Sequence, residues 1–444
     1  MRHVIIGASA AGASAAEDIR RLDPAAEITL ITEENYLPYS RCLLSRYVDG
    51  RLAEAGMYFK TRRFFENCAI QGLVNTRVVA VDRARHRVRC ADGREVAYDT
   101  LLLATGSKPA FPKVPGLDLR NVFAFHGMDD AKGILAAAQG ATQAVVVGAG
   151  FAGLEAAYAL ARIGKKVTVI ERCAQILPNQ LDEPGARIIQ ADLEKTGVSL
   201  VFNESVSSLA GHDTVESVTI GDGSHLQCEL CVVATGMRPS KQLAADAGLK
   251  ADRGILVDEH MQTSDPDIFA AGDAIEMDDV SSGKRVCSAT WFNAVLQGRF
   301  AAYNMVGRPR KYSGGVGIQN AVQFHHVPAI SFGQTLIDAE DDSDFEVIST
   351  TRGNVYKKLV LKENRLCGMV FVGDIAKSGF YAALIRHQVD LSTCRDRLLD
   401  SDFSYAHLIR QEHFNQKSPY ADTVEAWDLP GFWAARAVHA GIVR

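Results

Sequence analysis

The chain has 444 residues, 47% of them apolar and 23% charged, with a net charge of −5. That is room for two or three domains with a sizeable core, and the mildly acidic balance gives no sign of nucleic acid or an anionic membrane surface as partner. No apolar run approaches the roughly 18 residues of a membrane span. The nine cysteines are scattered and odd in number, which fits a reducing compartment. The first residues run directly into an apolar strand and not a leader, so a cytoplasmic location is expected.

In chain order, VIIGASAAGASAAEDIRRL (Val4 to Leu22) reads as a strand, a glycine turn and an alanine-rich helix. The apolar strand ITLITE (Ile28 to Glu33) follows it. The same order returns at VVVGAGFAGLEAAYALARIG (Val145 to Gly164) and VTVIE (Val167 to Glu171). Two such β-α-β units predict an α/β chain with two doubly wound dinucleotide-binding domains. LLLATGSKP (Leu101 to Pro109) is echoed by CVVATGMRP (Cys231 to Pro239), each a buried strand ending in a glycine turn. From about Ala321 the pattern becomes one of alternating strands, as in YKKLVLKENRLCGMVFVGD, which predicts a C-terminal α+β interface domain. The boundaries expected are 1–113 with 243–320 for an FAD-binding domain, 114–242 for an NAD-binding domain and 321–444 for the interface.

The chemistry sits on the glycine turns. Gly7, Ser9, Ala10, Ala11 and Gly12 follow a strand and open a helix, so the first glycine turns tightly, the last lets helix and strand approach, and the helix start faces a pyrophosphate. Glu33 ends the next strand, where a carboxylate accepts ribose hydroxyls; Glu34 competes for that role. Gly148, Gly150 and Gly153 complete a full second fingerprint, with Glu171 after the following strand. A carboxylate there favours NADH over NADPH, although Arg172 beside it is suited to a 2′-phosphate. Glu155, in the first turn of the second helix, is either a favourable N-terminal acid or a group that meets the nicotinamide side of a flavin.

The order GxxxxG, ATG, GxGxxG, ATG and then TSDPDIFAAGD (Thr263 to Asp273) resembles the pyridine nucleotide-disulfide oxidoreductase superfamily over about residues 1 to 410. The resemblance implies FAD and NADH as cofactors. It assigns Gly272 and Asp273 to the ribityl chain and pyrophosphate of FAD. Within that superfamily, YSRCLLS (Tyr39 to Ser45), WFNA from Trp291, QGR from Gln297 and VPAISFG from Val327 look like the NADH:rubredoxin reductases. The flavin part of nitrite reductases and the NADH oxidase and coenzyme A-disulfide reductase group are also similar. The resemblance further implies that Arg41 meets FAD phosphate or adenine, that Thr105 and Gly106 pass close to the flavin nucleotide, with Gly236 in the echoing segment, that the backbone of Val79 bonds adenine, and that Trp291 lies in the cofactor site. It implies a homodimer, and a small iron protein of rubredoxin or ferredoxin type as electron acceptor.

Cys42 stands where the rubredoxin-reductase pattern has proline and the oxidase and disulfide-reductase pattern has a redox-active cysteine. Two readings stay open: a thiol that reduces a disulfide, persulfide, peroxide or oxygen, or a small apolar filler beside the flavin. Position 47 is Tyr, so there is no second cysteine for a dithiol reductase. Ala10 stands where the peroxidases carry histidine, and Arg41-Cys42-Leu43-Leu44-Ser45 replaces the coenzyme A-disulfide reductase context. No metal site is expected. Cys228 and Cys231 run into a buried strand without a second pair. His325-His326 shows no obvious carboxylate partner and reads as a solvated or packed pair. The tail after Asn415, with Trp427, Leu429, Phe432, Trp433 and Val438, reads as a dimer contact or as a docking site for the acceptor.

Overall fold

The computed structural model describes residues 1–61, 63–312, 317, 319–337 and 344–408; the aromatic tail lies outside the described residues. Three five-stranded sheets organise these residues. The first runs in the order Ile268–Ala270, Thr100–Leu103, Arg2–Ile6, Glu27–Ile31, Ile70–Leu73, with every pair parallel. The edge strand arrives from residue 268, which explains why the motif ending at Asp273 sits beside the turn that begins at Gly7. Leu101, Leu102 and Leu103 are fully buried, as expected where helices cover both faces of a parallel sheet.

The second sheet repeats the plan: Ser199–Val201, Lys166–Ile170, Gln143–Val147, Leu230–Val233, Val122–Ala124, again all parallel. The echoed ATG segments acquire a structural meaning here. After their glycine turns, Ser107–Pro109 and Met237–Pro239 pair with each other as an antiparallel ribbon, so the two repeats are joined where each leaves its sheet.

The third sheet is antiparallel, in the order Gln319–Gln323, Pro328–Gly333, Arg365–Val372, Val355–Lys362, Phe345–Arg352. The helix Ser378–His387 covers one face with Tyr381, Leu384 and Ile385 buried. Its central hairpin turns through Glu363 and Asn364, both at positive φ, the two-residue geometry whose twist matches the flanking strands.

Close packing of the first glycine-turn helix, Ala10–Leu22, positions the site. It lies on the helix Trp291–Met305. A Cβ at Gly298 would fall 2.2 Å from the Ala11 carbonyl oxygen, so only glycine allows this approach. Ala13, Ala15, Ala16 and Ile19 are fully buried on that helix, and burying Ile19 alone contributes roughly 1.5–3 kcal/mol. Gly298→Ala would push the helices apart and displace the turn they carry. No helix among the described residues is long and apolar enough to cross a membrane.

Candidate cofactor and redox site

In the first turn Gly7 has φ +108°, and a Cβ there would fall 2.1 Å from the Ala104 carbonyl oxygen. A Cβ on Gly12 would fall 1.8 Å from the Gly7 oxygen. Ser9 is the N-cap, but its hydroxyl makes no capping bond. The first N–H groups of the helix lack intrahelical acceptors by geometry, so the turn offers donors to an anion. Opposite it, Gly272 has φ +81° and its Cβ position is 3.2 Å from Ala11 Cβ. The Gly272 N–H is held by Gln297 Oε1 at 2.9 Å. Asp273 follows, its Oδ2 accepting from Ser107 Oγ at 3.0 Å. Burial pushes the Asp273 carboxyl up from its ordinary value, partly offset by Ser107 and the Arg41 charge.

The competition between Glu33 and Glu34 acquires a geometric basis. Glu34 is spent on the protein: Oε1 accepts from Tyr39 Oη at 3.0 Å and Oε2 from Arg41 Nη2 at 3.0 Å. Glu33 stays exposed, two residues beyond the strand Glu27–Ile31. Arg41 also donates from Nη1 to the His126 carbonyl at 2.8 Å. Its guanidinium thus ties the segment next to Cys42 to the entry of the helix Met128–Gly140. Val79 sits at a bulge between paired residues Val78 and Ala80 and is 43% exposed, so its backbone stands outside the ladder. Thr105 Oγ1 donates to the Ser240 carbonyl at 2.8 Å, and Ser240 N–H returns to Gly106 O at 2.9 Å.

The second turn repeats the steric logic. Cβ atoms on Gly148 and Gly153 would lie 2.5 Å from Ala234 O and 1.9 Å from Gly148 O. Gly150 differs: nothing lies within 4 Å of its Cβ position, which leaves the turn open to a ligand. Glu171 is buried, with Oε2 accepting from the Ala149 N–H at 2.7 Å and Oε1 from the Cys173 N–H at 2.9 Å. It fastens the glycine turn to the end of its strand. Gly236 has φ +112°, with open space at its Cβ position.

Cys42 lies in the short turn Arg41–Leu43, just before the helix Leu44–Val48. Its surface is accessible to solvent. Burial pushes its thiol up from the ordinary value; Ser40 works the other way, and the charges of Asp273 and Glu155 push it further up. Glu155 lies past the first turn of the helix Phe151–Arg162. Its carboxyl bonds Ser45, burial raises it from its ordinary value, and Arg46 and Arg51 partly offset that. Trp291 opens its helix and meets Phe59 edge-on at 5.0 Å. Ser107 and His126 were not singled out in the sequence, because what each meets, the Asp273 carboxylate and the Arg41 guanidinium, comes from a distant part of the chain. Burial and the Arg41 charge lower His126 to about 4.

Two further groups singled out in the sequence lie elsewhere. Cys228 and Cys231 are both buried. The histidine pair does have a carboxylate partner, which corrects the sequence reading: Asp192, 133 residues away, lies 3.3 Å from His325 Nδ1 through its Oδ1.

Comparison with known proteins fits this geometry. Residues 1–298 match the family model described as pyridine nucleotide-disulphide oxidoreductase, and 323–389 match the rubredoxin NAD+ reductase C-terminal domain. The chain belongs to the pyridine nucleotide-disulphide oxidoreductase family. It is 36% identical over 321 residues to an NADH oxidase of Methanocaldococcus jannaschii, covering 70% of this chain and 71% of that one. It is 33% identical over 309 residues to a rubredoxin-NAD(+) reductase of Pseudomonas putida, covering 69% and 80%. Among solved structures, a NAD-dependent persulfide reductase from A. fulgidus superposes with TM-score 0.85 at 30% identity, covering 92% of this chain and 80% of that one. The chain spans only 51% of a similar assimilatory nitrate reductase electron transfer subunit from Bacillus subtilis.

As a family member this chain is an oxidoreductase that uses FAD and NADH. The donor-lined first turn, the glycines a Cβ would close, and the Asp273 carboxyl fit FAD; the open second turn fits the nicotinamide nucleotide.

Proposed function

We propose that this protein passes electrons from NADH through FAD to a small iron protein of rubredoxin or ferredoxin type. The observation that carries the reading is the presence in one chain of two glycine turns, Gly7–Gly12 and Gly148–Gly153, with the segments that follow the two ATG turns paired as an antiparallel ribbon. FAD, when bound, supplies the chemistry, accepting hydride from NADH and releasing electrons to an acceptor. The protein holds, orients and tunes. Residues 1–113 with 243–320 cradle FAD through Gly7, Gly12, Thr105, Gly106 and Asp273. Residues 114–242 seat NADH on Gly148, Gly150 and Gly153, a turn that Glu171 fastens to the end of its strand. The part from 321 onward forms an interface. Burial raises the Glu155 carboxyl from its ordinary value, with Arg51 and Arg46 working the other way. The matched C-terminal domain and the named rubredoxin reductase relative support the iron-protein acceptor.

The accessible Cys42 favours a second reading, reduction of a low-molecular-weight disulfide or persulfide, or of oxygen, and the persulfide reductase and NADH oxidase likenesses support it. An anaerobic NADH titration separates the two. One NADH per flavin, unchanged in Cys42→Ser, is the result expected for a protein acceptor. A need for about two NADH per flavin, lost in Cys42→Ser, gives the thiol reading precedence, since the cysteine then stores an electron pair.

A further inference from the structure

We propose that Asp192, His325 and His326 form a binding site for a borderline divalent cation, zinc being the type, which ties the helix Glu183–Glu194 of the second layer to the turn joining Gln319–Gln323 and Pro328–Gly333 of the antiparallel sheet. One ligand atom from each residue lies within 4.8 Å of the others. His325 Nδ1 and Asp192 Oδ1 are 3.3 Å apart. Zinc bonds of about 2.0–2.2 Å in tetrahedral array place neighbouring ligands roughly 3.4 Å apart, so one edge of the site already has the right length. A modest rotation of the exposed His326 ring closes the rest.

The carboxylate is prepared for such a role. Asp192 is 5% exposed. Its Oδ2 accepts from the backbone N–H of His326 at 2.8 Å and of Val327 at 3.1 Å, which leaves Oδ1 for a cation. Hydrogen bonds that orient a ligating carboxylate are what a metal site needs outside its ligands. The imidazoles come from adjacent residues, their centroids 3.6 Å apart, and Tyr158 packs edge-on against His325 at 6.1 Å. Two imidazole nitrogens and one carboxylate oxygen suit zinc, nickel or copper better than magnesium or calcium. The exposed side of His326 leaves room for water as a fourth ligand. The present competitor is Lys195, whose Nζ is 3.6 Å from Asp192 Oδ1 on a 61% exposed side chain; it can swing into solvent.

The test uses the full flavin-loaded chain, stripped with a chelator and titrated calorimetrically with zinc, with thermal unfolding as a second reading. One zinc per chain is expected, with a rise in unfolding temperature. His326→Ala keeps the backbone bond to Asp192 and should weaken binding by at least about tenfold. Lys195→Ala should tighten it by removing the competing charge. Absence of zinc binding, or binding equally tight in His326→Ala and in Asp192→Asn, would overturn the proposal; the contact would then be an ion pair and nothing more.

Discussion

Glu171→Gln tests whether the acid of the second fingerprint serves the ligand or the fold. Both its oxygens already accept backbone N–H groups, from Ala149 at 2.7 Å and Cys173 at 2.9 Å, and the residue is 7% exposed. A hydrogen bond to a charged group contributes roughly 1.5–3 kcal/mol. Glutamine keeps one acceptor oxygen and turns an NH2 toward the second N–H. One bond is lost, the other becomes neutral, and two donors face each other in a buried place. The expected loss of stability is about 2–4 kcal/mol, read as a lower urea midpoint in the absence of nucleotide. The KM for NADH should rise as a consequence of the loosened turn. If Glu171→Gln keeps its full stability and only the KM rises, the carboxylate works on the ribose and the structural reasoning is wrong.

The two outer glycines and the middle one of that turn should part company. Gly153→Ala puts a Cβ 1.9 Å from the Gly148 oxygen and should leave little folded protein on expression. Gly150→Ala meets nothing within 4 Å, so its urea midpoint should stay near wild type while NADH binding weakens; a large loss of stability would refute the open-turn reading. Acid sensitivity should follow His3, fully buried, with Nδ1 2.7 Å from Thr100 Oγ1. Burial first, then the N-terminal charge, lowers it from 6.5 to about 4. With the folded value depressed, the unfolded chain takes up the proton first. Its contribution is therefore full above pH about 6.5 and is lost as pH falls toward about 4, up to about 3 kcal/mol. His3→Gln should flatten that part of the stability–pH curve, and an unchanged slope would show that His3 plays no part in it.

Much of the architecture was legible in the chain because it depends on local patterns. Glycine turns after apolar strands specify β-α-β units wherever they occur, and the return of the motif ending at Asp273 places the last strand of the first sheet. The glycine positions themselves could be read because backbone sterics alone demand them at Gly7, Gly12, Gly148 and Gly153. The choice between Glu33 and Glu34 could not be made, since adjacent carboxylates differ only in what packs nearby. Tyr39 and Arg41 claim one of them.

What the amino-acid sequence determined by itself, then, is the pair of nucleotide-binding folds, their cofactors and the presence of a cysteine at residue 42. Tertiary structure alone decided that Asp273 meets Ser107, that the segments after the two ATG turns pair with each other, and that Asp192 meets His325. Each of these joins residues more than a hundred positions apart, through side chains or edges that carry no periodic signal. Only the packing of one layer on another brings them within bonding distance.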